Sequence, residues 1–296
     1  MPESGCVATS SRERSRPRPP SPEDRVPAMG PNDHDFFQID AFADGPFRGN
    51  PAAVCLLREP RDPEFMQRMA AEMNLSETAY VWPAGDDAER FHIRWFTPEV
   101  EVSLCGHATL ASAHALWHSG RASGELVRFQ SASGELRARR DGDLVELDFP
   151  RREATRATPP PSLIEALGAM PVFVGQSGER DYLVELDDED SVRQLRPDLA
   201  MLQQVDARGV IVTARGSRGF DFVSRFFAPA SGVPEDPVTG SAHCTLGPFW
   251  SARLRKDDLV AYQASARGGT VRVRVRGDRV LLAGKAVLVV AGRLMV

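Results

Sequence analysis

Two stretches of the chain echo one another. Arg94-Trp95-Phe96-Thr97-Pro98 leads to Gly106-His107-Ala108-Thr109-Leu110, and Arg225-Phe226-Phe227-Ala228-Pro229 leads to Gly240-Ser241-Ala242-His243-Cys244-Thr245-Leu246. Each reads as a strand, an x-Pro loop, a glycine and then a helix of small residues. A solenoid needs three or more copies, so two copies predict two similar halves related by a pseudo-dyad. Each loop delivers a helix N-terminus whose first amides lack intrahelical partners and carry partial positive charge. Two such ends facing each other across a cleft can hold an anion. They can also stabilise the negative charge that grows beside a carboxylate or carbonyl when a proton leaves carbon. The small residues Gly106, Ala108, Gly240 and Ala242 allow a ligand close to the backbone, which makes Gly106 and Gly240 candidate substrate-binding positions.

The remaining pattern is mixed α/β. Phe36–Phe42, Ala52–Leu57, Ala79–Trp82 and Arg90–Phe96 read as strands. Asp62-Pro63 opens a helix, with Asp62 as N-cap and Pro63 at the first helical position. Phe65, Met66, Met69, Ala70 and Met73 share one face of it, and Asn74 ends it. Gly106–Ser119 reads as a second helix, and Glu135–Arg140 with Leu144–Phe149 as a hairpin about an Asp-Gly turn. Val271–Arg276 alternates strictly, as a half-buried strand does, and its arginine face is expected to be solvated or salt-bridged. Pro159-Pro160-Pro161 reads as a linker. The expected division is therefore a first domain over 34–150 and a second over 151–296, with the last strand able to pack back on the first domain. Residues 1–33 stand apart. Thr9–Pro20 is polar, proline-rich and aperiodic, which predicts a disordered tail and makes Met29 an alternative start. A basic peptide for an acidic partner is the other reading of that tail, although Glu13, Glu23 and Asp24 dilute its charge.

Composition excludes several classes. Lys and Arg number 36 against 41 Asp and Glu, a net charge of −5, which argues against nucleic acid as the main partner. No apolar run approaches the ~20 residues that a bilayer requires, and no apolar N-terminal run marks a secretory signal. The four cysteines, Cys6, Cys55, Cys105 and Cys244, form no C-x-x-C. They fit a reducing cytoplasm rather than a disulfide scaffold or a zinc site. No Walker A motif, G-x-G-x-x-G after a strand, or H-E-x-x-H is present, and Gly216-Ser217-Arg218-Gly219 has the wrong spacing for a phosphate loop. The expectation is no nucleotide cofactor and no metal. Lys256 and Lys285 are the only lysines, so a Schiff base has just two candidates.

Several side chains could move a proton. Asn74-Leu75-Ser76-Glu77 matches a capping box, but a capping box needs a helix after it. Thr78-Ala79-Tyr80-Val81-Trp82 reads as strand instead, which places Glu77 in a turn at a strand's start. A carboxylate between apolar elements is expected to have its pKa raised toward general acid/base range. His107 sits at a helix start, where the dipole disfavours imidazolium and favours a neutral ring. Asp236 and Ser241 flank the second loop and are also ordinary capping residues. His114 and His118 read as core or surface, and His243 divides evenly between packing and site. Cys105 is either a thiol activated by the helix end or an inert buried cysteine.

Six strings occur in order: Asp40-Ala41-Phe42 with Gly49-Asn50-Pro51-Ala52-Ala53-Val54; Asn74-Leu75-Ser76-Glu77; Arg94–Pro98; Cys105-Gly106-His107-Ala108-Thr109; Glu235-Asp236-Pro237-Val238-Thr239-Gly240-Ser241-Ala242-His243; and Gln263-Ala264-Ser265-Ala266-Arg267-Gly268-Gly269. Together they resemble the PhzF-like family of phenazine-biosynthesis isomerases over residues 35–296, in wording closer to its uncharacterised members than to the pathway enzyme. The resemblance implies a diaminopimelate-epimerase-like α/β fold. In that fold two pseudo-symmetric domains each curl a mixed sheet around a central helix, with the site between them. It also implies a cofactor-free isomerase, commonly a homodimer, acting on a small carboxylate-bearing metabolite. The family's proton-shuttling carboxylate falls on Glu77, its site His, Asp and Ser fall on His107, Asp236 and Ser241, and Asn50 joins the substrate-binding set. In the phenazine pathway that carboxylate moves a proton between ring carbons of a dihydro-hydroxyanthranilate. Racemases of the same fold use two thiols. Here Cys105 takes the first thiol position and Asp236 is expected at the second, which favours one carboxylate working on one face. A one-thiol epimerase using Cys105 with Asp236 is the alternative, and a non-enzymatic interaction module retaining the fold is a third reading.

Overall fold

The first alternating run forms β1 (His34–Ala41), and a turn returns it as β2 (Asn50–Leu56). The structure is a computed structural model that describes residues 34–178 and 180–296. The segment read as a tail, residues 1–33, lies outside the described residues. Next come α1 (Pro63–Met73), β3 (Glu77–Pro83), β4 (Arg90–Phe96), β5 (Glu101–Val102), α2 (Gly106–His118), β6 (Leu126–Ser131), β7 (Gly134–Asp141) and β8 (Leu144–Pro150). They are followed by β9 (Ala154–Arg156), α3 (Pro161–Leu167), β10 (Phe173–Ser177), β11 (Asp181–Glu185), α4 (Glu189–Gln194), α5 (Leu199–Leu202), β12 (Gly209–Arg215), β13 (Phe222–Ala228) and β14 (Val233–Asp236). The chain closes with α6 (Gly240–Leu254), β15 (Asp258–Gln263), β16 (Gly269–Arg276), β17 (Arg279–Gly284) and β18 (Ala286–Leu294). Among the described residues no helix is long and apolar enough to cross a membrane.

Local chemistry accounts for the boundaries near the site. The Asp62 carboxylate accepts from the Glu64 amide at 2.7 Å, and α1 ends at Asn74 in the left-handed region, at φ 51°. Asn tolerates that conformation. Strand follows at once, because Thr78, Tyr80, Val81 and Trp82 are β-branched or aromatic and fit a pleated, buried surface. Pro160 and Pro161 do not form the linker read from sequence. They occupy the N-cap and first position of α3, where a fixed φ favours helix and no amide hydrogen is missed. Leu163, Ala166 and Leu167 then bury its inner face. The arginines of β16 are exposed, and two are ion-paired, Arg274 and Arg276 to Asp258 and Arg274 also to Glu146.

The strand pairings repeat. β2 is parallel to β3, which is antiparallel to β4; β4 is antiparallel to β5 and parallel to β6; β6, β7 and β8 form a meander. β11 is parallel to β12, which is antiparallel to β13; β13 is antiparallel to β14 and parallel to β15; β15, β16 and β17 form a meander. β8 and β17 pair antiparallel and join the two sets. β18, which follows β17, flanks β1, and β9, which follows β8, flanks β10.

Each set curls around one helix. α2 is apolar on every side: Ala108, Leu110, Ala111, Ala113, Ala115 and Leu116 are all fully buried, as a helix enclosed by sheet must be. α6 is buried from Ala242 to Trp250 against β15, β16 and β17.

The register makes the echo quantitative. Tyr80 pairs with Arg94 and Val212 with Arg225. Superposing the two arginines sets Glu77 against Gly209 and Ser76 against Arg208. The parallel pairs Ala52–Glu77 and Asp181–Gly209 then set Ala52 against Asp181. The first residues of the two helices, Gly106 and Gly240, correspond, so His107 matches Ser241.

Candidate active site

The six sequence strings hold one another in place. Asp40 is buried and accepts from Arg267 Nη2 at 2.8 Å, while Arg267 Nε donates to the Gly49 carbonyl at 2.8 Å. The 40–49 turn and the 263–269 segment are thus one unit. Gly49 sits at φ +65°, and a Cβ there would lie 2.2 Å from the Ala41 carbonyl oxygen, so no other residue can make this turn. The turn delivers Asn50, fully buried, to the centre of the site. Its amide nitrogen donates to Asp236 Oδ1 at 2.7 Å and to the Val238 carbonyl at 3.0 Å. Its oxygen accepts from Ser76 Oγ at 3.4 Å.

At the same place the two central helices meet end to end. A Cβ built on Gly106 would lie 3.5 Å from Gly240 Cα. His107, the second residue of α2, is 5% exposed. Its Nε2 lies 3.1 Å from Glu77 Oε2, off the line that a hydrogen bond needs. Neither atom has a hydrogen-bond partner among the described residues. On the ring's other side, Nδ1 lies 3.5 Å from Cys105 Sγ and 3.2 Å from Asn50 Nδ2. Both Asn50 amide hydrogens are directed to Asp236 and Val238, so Cys105 is the donor left to a neutral Nδ1. That tautomer carries its hydrogen on Nε2, facing Glu77.

Ionisation follows from these contacts. Burial alone would depress the His107 imidazole, but the Cys105 sulfur beside Nδ1 first, and the Glu77 carboxylate beside Nε2 second, raise its pKa well above the usual range. The helix end alone would favour a neutral ring; Cys105 and Glu77, both at contact distance, act against that fractional dipole charge. Cys105 is raised, by burial first and by the Glu77 charge second. The helix end does not activate this thiol. Asp236 is pushed up to about 6, chiefly by burial and against the pull of His107.

Glu77, Cys105 and His107 also have ligand atoms within 4.8 Å of one another, close enough to hold a metal ion. Yet the sulfur lies against Nδ1 and the carboxylate against Nε2. One imidazole nitrogen cannot face both, so the arrangement fits a relay across the ring better than a single coordination centre.

The second half supplies Asp236, Thr239, Ser241 and Gln263. Thr239, not Asp236, stands opposite Cys105: the two are the N-caps of α6 and α2. Asp236 reaches the site from the end of β14, accepting from Thr239 Oγ1 at 2.5 Å. The second thiol position of the fold is therefore a threonine. Gln263 accepts from the Thr239 amide at 2.9 Å and donates to the Asp236 carbonyl at 2.7 Å. Ser241 caps nothing; its Oγ accepts from Arg208 Nη2 at 3.2 Å. His243 is a packing residue, fully buried, with Nδ1 at 2.8 Å from the Thr239 carbonyl and its pKa lowered by burial to about 4. His114 and His118 lie toward the far end of α2, beside a cavity of about 430 Å³ that no site residue lines. Ser76, Thr239, Gln263 and Arg208 were not singled out from sequence. The first three sit inside the quoted strings, which was signal enough to find them, whereas Arg208 sits in none.

The comparisons with known proteins identify the family and the fold. The family model for phenazine biosynthesis-like proteins matches residues 39–292. An uncharacterised isomerase of Halalkalibacterium halodurans is 48% identical over 263 residues, covering 88% of this chain and 98% of that protein. The crystal structure of a PhzF-family protein from Enterococcus faecalis superposes with a TM-score of 0.85 at 40% identity, covering 89% of this chain and 100% of that one. A hydroxyproline epimerase from Agrobacterium vitis shares the fold alone, at a TM-score of 0.62 and 11% identity over 89% of this chain and 93% of that one.

Proposed function

The chain belongs to the phenazine biosynthesis-like family, a family of isomerases, and on that premise we propose that it moves a proton between carbons of a small carboxylate-bearing metabolite, with Glu77 as general acid/base. The observation that carries this reading is the Glu77 carboxylate itself. It stands 3.1 Å from His107 Nε2 where the ends of α2 and α6 meet, and no hydrogen bond occupies the oxygen nearest the ring.

In the forward step a C–H bond of the substrate breaks and its proton passes to the Glu77 carboxylate. The electron pair left behind delocalises into the neighbouring carboxylate or unsaturated system. Amides at the starts of α2 and α6 face that growing charge, which is where preorganised donors lower a barrier most. Glu77 then returns the proton to a different carbon on the same face, and the balance closes with no second reactant. His107 keeps a hydrogen toward Glu77 and orients it. Asn50 ties His107's surroundings to Asp236, and so ties one half of the site to the other.

The mirror position favours one-face chemistry over inversion at a single carbon. Inversion needs a second base on the opposite side, and the residue opposite Glu77 is Gly209. A Cβ at Gly209 would lie 2.3 Å from Phe226 Cζ, so no side chain fits there. Cys105 as the sole base is disfavoured by its raised pKa. The test is Glu77→Gln, which keeps the shape and removes the base. Turnover is expected to fall ~10²–10⁴-fold with the melting curve still cooperative; turnover equal to the parent chain removes Glu77 from the mechanism.

A further inference from the structure

The last turns of α2 carry a group of bases away from the Glu77 cleft. His114 and His118 are four residues apart and so share a face of the helix. Their rings are parallel to within 15°, with 6.3 Å between centroids. His114 lies seven residues beyond His107, about 10 Å along the helix axis. Both rings line the cavity of about 430 Å³ that α2 forms with the β7–β8 turn and the start of β18. Arg140, near the end of β7, lines the same cavity, with its guanidinium carbon 5.8 Å from the centre of the Trp117 ring.

These bases are unspent. Among the described residues neither imidazole makes a hydrogen bond through its ring, and no carboxylate pairs with the Arg140 guanidinium. Asp143 is the acid on the cavity wall, and Lys285 Nζ already holds it at 2.7 Å, with the Arg272 charge nearby. Phe37 of β1 meets the His118 ring edge-on at 6.0 Å and brings no charge. The charges facing His114 are therefore of its own sign. Its pKa is lowered, by burial first and then by His118 and Arg140. Bases crowded in this way repel one another, and an anion among them relieves the repulsion. The rest of the wall is apolar, made by Leu144, Val145 and Ala286. One water takes about 30 Å³ of the liquid, so an inorganic ion would leave most of this volume unfilled. The walls suit an acid with an apolar body.

We propose that this cavity is a second binding site, for a small organic carboxylate with an apolar body. The carboxylate takes the Arg140 guanidinium, which offers a planar pair of N–H donors, and the ring N–H groups of His114 and His118. The apolar body lies against Leu144, Val145 and Ala286. An anion here favours imidazolium, so binding draws a proton toward His114 and raises the pH at which it titrates. The site is separate from the proton chemistry at Glu77 and stands whether or not that reading does.

The test is an NMR titration of the full chain with benzoate, benzamide, acetate and inorganic phosphate, read at the histidine ring protons near the ordinary imidazole midpoint. His114→Asn, His118→Asn and His107→Asn assign the three signals that matter, and His107 reports on the Glu77 cleft. Benzoate is expected to shift His114 and His118 with one midpoint and to raise the pH at which His114 titrates. It is expected to bind about tenfold more tightly than benzamide, which lacks the charge, and more tightly than acetate, which lacks the ring. Arg140→Gln, at an exposed position, is expected to weaken benzoate about tenfold and leave benzamide unchanged. Shifts at His107 without shifts at His114 and His118 overturn the assignment. So does equal affinity for benzoate and benzamide, or an Arg140→Gln variant that binds benzoate as the parent does. Acetate or phosphate matching benzoate overturns the organic class of the ligand.

Discussion

Asn50→Asp tests whether the two halves are joined at the site through one amide. Asn50 is fully buried, and its nitrogen spends both hydrogens, on Asp236 at 2.7 Å and on the Val238 carbonyl at 3.0 Å. The substitution puts a second carboxyl where that nitrogen stood, against an Asp236 already raised to about 6. Two carboxylates at that distance cannot both ionise, so the pair holds one proton. The shared proton satisfies the pair and leaves the Val238 carbonyl without a donor, at a cost of about 1–3 kcal/mol. Holding the proton against an unfolded-state pKa of about 3.9, at 1.36 kcal/mol per unit, costs roughly 1.5 kcal/mol at pH 5 and roughly 5.5 at pH 8. The sign follows from the raised folded pKa. The folded state binds the extra proton, so stability is greatest below the unfolded pKa and is lost as pH rises through the folded value. The variant should therefore lose up to about 4 kcal/mol more than the parent chain between pH 5 and pH 8, roughly 8–16 °C in midpoint. Urea unfolding of both proteins at the two pH values measures it. An equal deficit at both, within about 0.5 kcal/mol, refutes the argument that Asn50 separates Asp236 from a clash of charge.

Three further outcomes follow from the same geometry. Gly209→Ala gains about 0.4–1 kcal/mol from the unfolded chain but forces a Cβ to 2.3 Å from the buried Phe226 ring; a net loss of about 1–3 kcal/mol is expected by thermal unfolding, and an unchanged or higher midpoint contradicts the reading that no side chain fits at this position. Asp236→Asn should abolish the part of the stability profile that declines as pH rises from about 4 to about 6 in the parent, since that decline belongs to the Asp236 carboxyl raised to about 6 by burial; a variant retaining the full decline reassigns it. Cys105→Ser should leave turnover within a few-fold of the parent, because burial holds that thiol protonated; a loss beyond about a hundredfold restores the thiol as a catalytic group.

Much of this site could be read from the chain because its parts are local. Glu77 was placed at a strand's start by the β-branched and aromatic residues after it, which no capping box would tolerate. The helix ends were legible from Gly106 and Gly240 and the loops before them. What the chain concealed depends on register or on charges distant in sequence. Arg208 is one arginine among many until the pairing of β12 with β13 sets it at the position matching Ser76. The surroundings of His107 include Glu77, thirty positions earlier and 3.1 Å away, which a rule about helix ends does not see. Thr239 rather than Asp236 faces Cys105 because the second loop is longer, and only the helix starts reveal the match. Pro160 and Pro161 were read as a break because proline both ends and begins helices; the buried Leu163 and Leu167 decide for a beginning.

The central claim is that one carboxylate, at position 77, takes hydrogen from carbon and gives it back. The most direct measurement is solvent deuterium incorporation. Small carboxylic acids are incubated with the protein in deuterated water, and loss of carbon-bound proton signal is followed by NMR for the parent chain and for Glu77→Gln. The account predicts deuterium at the accepting carbon with the parent protein and a rate lower by at least ~10² with the variant. Incorporation by Glu77→Gln at the parent rate would contradict it.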